Sequence, residues 1–195
     1  MNYFIGGGVI VCAYICYKLF VKKSSVYKVS TIIDYLSREY SNPAVFVSMK
    51  KYKSDIESYL VILGYFKDEM ENIRMDDEYK MNKLTSIVLT HGTNLVNLFE
   101  SIKNESESLK IEMKALIVVL KDNQKSQEKI KEFKAIVDSE MTPWLDVVNY
   151  AINEISLMTR ENPNNFDKQK FYYFLENLNS QYYKQQGLRM KFSIS

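Results

Sequence analysis

The chain has 195 residues, 46% of them hydrophobic, enough to bury a core but no more than one domain plus an anchor, or two very small domains. Its net charge of +2 and its few arginines, Arg38, Arg74, Arg160 and Arg189, exclude the strongly basic, arginine-rich face of a general nucleic-acid binder. Both cysteines, Cys12 and Cys16, lie near the start, so residues 17–195 hold neither a disulfide framework nor a cysteine-built zinc site.

The first predicted element is a transmembrane anchor over residues 1–22. No charge occurs from Tyr3 to Tyr17, and Leu19, Phe20 and Val21 extend the apolar run beyond Lys18. A spanning helix needs about 20 mainly apolar residues, and a lysine near its end can snorkel to the headgroups. A cleaved signal peptide fits less well, because the positive side chains (Lys18, Lys22, Lys23 and Lys28) follow the apolar run and no small-x-small site does. Those lysines place the C-terminal side in the cytoplasm, making the chain a single-pass signal-anchor protein that contacts membrane lipid through residues 1–22. Gly8, Cys12 and Cys16 recur every fourth residue and form a small-residue stripe through which two such helices could associate.

Residues 23–30 read as a juxtamembrane linker, residues 31–187 as a helical bundle and residues 188–195 as a tail. A short helix is predicted over 31–40. The three prolines, Pro43, Pro143 and Pro163, follow Asn42, Thr142 and Asn162 and read as helix starts, where a missing N–H costs nothing. Tyr52, Ile56, Tyr59, Leu63, Phe66, Met70 and Ile73 then alternate spacings of four and three, a heptad seam on one helix. The acidic run Asp76, Asp77 and Glu78 suits the positive end of the next helix better than a calcium loop.

That helix carries a second seam, Leu84, Val88, His91, Leu95, Leu98 and Ile102, and forms an antiparallel hairpin with the first. Leu109, Met113, Leu116 and Leu120 give a third seam. There "ALIVVL" is broader than one stripe, which predicts a central helix or a short buried strand, with the flanks favouring helix. A loop near Asp122–Ser126 precedes Ile130, Phe133 and Val137. The lysines from Lys121 to Lys134 alternate with acids, as on a solvated face. Leu145, Val148, Ile152 and Ile155, with Trp144 beside them, and then Phe171, Leu175, Leu178 and Tyr182 complete the pattern, with Gly187 as a helix stop. The fold class is therefore all-α: an N-terminal transmembrane helix followed by about five antiparallel helices with coiled-coil-like heptad packing.

Chemistry is sparse in this pattern. His91 is the one histidine, and no metal-ligand, phosphate-loop or nucleophile motif occurs, so no catalytic residue, cofactor or metal site is assigned. His91 interrupts an apolar seam, where protonation would disturb packing, and is the one pH-sensitive core position; a histidine hydrogen-bonded at the seam's edge is the plainer reading. Four successive aromatics, Phe171, Tyr172, Tyr173 and Phe174, cannot all face the core, and Tyr172 and Tyr173 become the candidate protein contacts. The sequence thus predicts a non-catalytic scaffold or adaptor of a membrane-associated assembly, with other proteins as partners and no nucleic acid. Two alternatives stand beside it: a homo-oligomeric coiled-coil stalk, if the seams stay unfilled within one chain, and an outward-facing sensor with His91 lining a cleft.

Overall fold

Ser24 opens the first helix by accepting a hydrogen bond from the Tyr27 amide on its side chain, a standard N-cap. The computed structural model describes residues 24–40, 46–73, 79–160 and 166–186. Those residues form six continuous helices. They are α1 (Ser25–Glu39), α2 (Val47–Glu71), α3 (79–104), α4 (Ser106–Val119), α5 (124–160) and α6 (Lys168–Gln186). The domain is an all-α helical bundle. Helix α1 starts earlier than the periodicity indicates: Val29 is buried, and Ser25 and Lys28 both reach Glu140 on α5. Residues 24–30 are therefore part of the bundle and not a linker.

Helix α2 lies at the centre. Every residue of its predicted seam, from Tyr52 to Ile73, is buried; the helix packs against α1, α3, α4 and α6, and its Tyr52 and Tyr59 rings meet α5. Helices α2 and α3 run antiparallel, with Gly92 beside Phe66 at one end and an ion pair between Lys51 and Glu105, the residue after α3, at the other. Trp144 and Tyr59 meet edge-to-face at 5.7 Å, and the Trp144 indole N–H donates to the Gln181 carbonyl at 3.0 Å, which ties α5 to both α2 and α6.

Two turns of π-helix reset the buried faces. In α3 the turn Val88–Gly92 joins Tyr79–Ile87 to Thr93–Asn104. A π turn adds a residue, so the stripe that begins Leu84 and Val88 continues as Gly92, Leu95, Phe99 and Ile102. Phe99 thus takes the place expected of Leu98, and His91 moves to the edge. In α5 the turn Val137–Met141 joins Gln124–Ile136 to Thr142–Arg160. Pro143 consequently does not start a helix. The chain is already helical, the Thr142 amide and hydroxyl both serve the Val137 carbonyl, and the widened turn accommodates the missing proline N–H. Pro43, Pro163, Asp76 to Glu78 and Gly187 lie outside the described residues.

Helix α4 is an edge helix, not a central one. It buries Leu109, Met113 and Leu116, packs Ile117 partly against the core, and turns Ile111, Val118 and Val119 outward. The predicted loop closes where Asn123 caps α5 by accepting from the Ser126 amide. No helix among the described residues is long and apolar enough to cross a membrane. The anchor over residues 1–22 lies outside the described residues.

Candidate functional site

The second half of α5 carries two stripes. One is core: Leu145, Val148, Ile152 and Ile155. The other, Val147, Tyr150 and Leu157, follows the same 3.5-residue rhythm on the open side, and each member is exposed. Helix α6 runs antiparallel beside it and adds Tyr173. Tyr150 packs edge-to-face on Phe174 at 5.9 Å and Tyr173 does so at 5.3 Å, giving a row of three rings across two helices.

Tyr173 is 65% exposed and Tyr172 47%, while Phe171 and Phe174 point inward as their spacing predicts. Successive helix residues differ by about 100° in direction, so the two tyrosines do not share one surface. Tyr173 belongs to the row with Tyr150. Tyr172 leans on Phe171 at 5.6 Å on the adjoining face. Tyr150, Val147 and Leu157 were not singled out by sequence reasoning, although their 3-and-7 spacing was available as a second stripe.

His91 sits at the edge of the α2–α3 contact. Its side chain is 25% exposed, with Nε2 3.7 Å from the Glu69 carboxylate. The π turn has moved it out of the seam, and Gly92 occupies the inward position, its backbone close to Phe66 and Ile152. It is therefore not a core position. Gly8, Cys12 and Cys16 lie outside the described residues. Among the described residues no three His, Cys, Asp or Glu side chains converge as metal ligands would.

A hollow of about 330 Å³ opens beside the π turn of α5. Phe99, Ile102, Leu109, Val137 and Leu145 form its apolar wall, and Lys103, Asp138 and Asp146 also line it. The buried Tyr52 adjoins it, and the Tyr52 hydroxyl has no hydrogen-bond partner among the described residues. Burial, reinforced by the Asp138 charge, holds that phenol well above its ordinary range, so it remains protonated. Sequence reasoning placed Tyr52 in the core seam, where its ring does lie, and gave no signal of the lone hydroxyl.

The described surface thus offers an aromatic, apolar face on α5 and α6 and a hollow whose lining also includes Ser106, Lys110 and Thr142. Comparison with protein families, curated proteins and solved structures found no match to this chain.

Proposed function

We propose that this chain is a non-catalytic helical adaptor, tethered to a membrane by residues 1–22, whose bundle docks another protein through Tyr150, Leu157 and Tyr173. The tether rests on the uncharged run from Tyr3 to Tyr17 and the lysines after it, which also set the bundle on the cytoplasmic side. Docking rests on one observation: a second apolar stripe on α5, continuous with the aromatic row on α6, lies outside a core that is complete without it. Aromatic side chains carry large contact area at low entropic cost, which suits them to the centre of an interface. Tethering raises the effective concentration of such a partner at the membrane.

A photoreactive amino acid placed at position 173 in the native membrane tests this. The expected result is a discrete cross-linked protein, lost when Leu157→Asp is introduced. No cross-link from position 173, or one unaffected by that charge, overturns the docking reading. The stalk depends on seams left open for other copies, whereas the seams on α2 and on the second half of α5 are filled within one chain. The sensor depends on a cleft at His91, and His91 does not line the hollow beside the π turn of α5.

A further inference from the structure

The most exposed large apolar side chains of the described residues all lie on α4: Ile111 at 67%, Val118 at 70% and Val119 at 69%. Val118 and Val119 are the surplus of "ALIVVL", and Ile111 lies two turns before Val118 on the same face; all three point away from the buried stripe Leu109, Met113 and Leu116. A flank of the same helix closes a slot of about 280 Å³ against α5. Met113, Ile117 and Ile130 line the slot, and Lys110, Lys114, Lys131 and Lys134 stand around it. Lysine stems cover apolar floor while their ammonium groups stay in water.

The charge of α4 along this edge is one-sided, while on α5 Glu132 is paired with Lys129 and Glu128 with Gln124. Between Lys110 and Lys121 the sole acid is Glu112, and it is turned inward. Its carboxylate accepts from the Ser48 and Met49 amides at 2.7 and 3.1 Å, capping the positive end of α2. Glu107 pairs with Lys110 and Asp138 with Lys134. Lys114 and Lys131 have no carboxylate partner among the described residues, and Asp122 follows Lys121 in the turn.

The geometry points to α4 as a docking site for an anionic phospholipid bilayer, with Ile111 and Val118 entering the acyl boundary, Val119 on the adjoining flank, and Lys114 and Lys131 meeting lipid phosphates. An exposed apolar ridge beside unneutralised lysines is the chemistry of a helix lying in a membrane interface. A protein partner would be met by the ridge as well, but it would not require the two lysines left unpaired among the described residues, Lys114 and Lys131, beside it. The inference deepens the membrane reading above by saying which face of the bundle meets the lipid. It rests on that reading only for proximity to a membrane.

The full-length chain carrying Val118→Trp, reconstituted in vesicles with acyl-brominated lipid, provides the test; the native Trp144 is buried and supplies a constant background. Quenching of the new indole is expected in vesicles with about a third phosphatidylglycerol, and at least about twofold less in pure phosphatidylcholine. Lys114→Gln with Lys131→Gln should abolish that difference, each lost charge weakening the contact by about fivefold. About 0.5 M salt should do the same. Equal quenching in both vesicles, or none in either, overturns the proposal; the second result leaves the ridge to a protein partner. Flotation of the same samples separates the two readings. A chain that floats only with anionic vesicles loses its anchor and keeps this site, and one that floats with both but is not quenched keeps its anchor and loses it.

Discussion

Tyr52 shows how a side chain can satisfy the core and leave a polar atom stranded. Its ring packs edge-to-face on Phe133 at 6.0 Å, while its buried hydroxyl has no hydrogen-bond partner among the described residues. A buried unpaired hydroxyl is destabilising, so Tyr52→Phe is expected to raise stability by up to about 1 kcal/mol. A lower urea midpoint in mild detergent would mean that the hydroxyl has an acceptor after all. The helical glycines give a matched pair. A methyl group at Gly92 would meet Phe66, Val88 and Ile152 at 3.5 to 3.8 Å, ordinary contact. One at Gly64 would meet the Tyr182 hydroxyl at 3.0 Å and its ring at 3.3 Å. Alanine is favoured over glycine in a helix by about 0.5–1 kcal/mol, so Gly92→Ala should gain nearly that amount. Gly64→Ala should gain distinctly less, because Tyr182 must shift, and equal gains from denaturation would contradict the close approach.

At the scale of elements, α1 is joined to α5 through Glu140, which accepts from the Ser25 hydroxyl and from Lys28 Nζ at 3.0 Å. The Ser25 hydrogen bond first, and then the Lys28 contact, hold the Glu140 carboxyl below its ordinary range although partial burial opposes them. The unfolded chain then binds the proton more readily than the folded one, so this contact stabilises above the ordinary carboxyl pKa and is lost as pH falls below it. Glu140→Gln should lower the melting temperature at pH 7, and the gap from the unsubstituted chain should narrow below about pH 4.5. A gap independent of pH would remove the carboxylate from the account. The same elements show what a sequence displays. The seam on α2 is legible because its period is regular and every member is buried. The seam on α3 is legible only as far as Val88, since a π turn depends on hydrogen bonds five residues apart and has no fixed residue signature. Pro143 and the adjacent Thr142 read as a start for the same reason. "ALIVVL" gives its composition but not its side: the same surplus would serve a central helix, and only packing shows it facing outward. In the candidate face, Tyr173 was readable from four aromatics in a row. Tyr150 was not, because its meaning depends on Phe174 arriving from another helix.

The whole bundle is knitted across its length, and that bears on how it unfolds. Ser25 meets Glu140, the Lys125 ammonium lies 5.1 Å from the Tyr35 ring, and Trp144 holds Gln181. Helix α1 contributes Val29, Ile32, Ile33 and Leu36 to the core. Full burial of such side chains stabilises by about 1.5–3 kcal/mol each, and the four together rival the roughly 5–15 kcal/mol of a whole domain. Their loss would also expose the apolar surface of α5 that they cover. A chain lacking residues 1–40 should therefore lose cooperative unfolding, whereas one beginning at Ser24 should retain a single transition by circular dichroism. Had residues 24–30 been a linker, trimming through residue 30 would be harmless. With α1 beginning at Ser25, that cut removes the Glu140 contacts and Val29, and the transition should move to lower temperature. An unchanged transition after the cut at residue 30 would return those residues to the linker and leave Glu140 without its structural role.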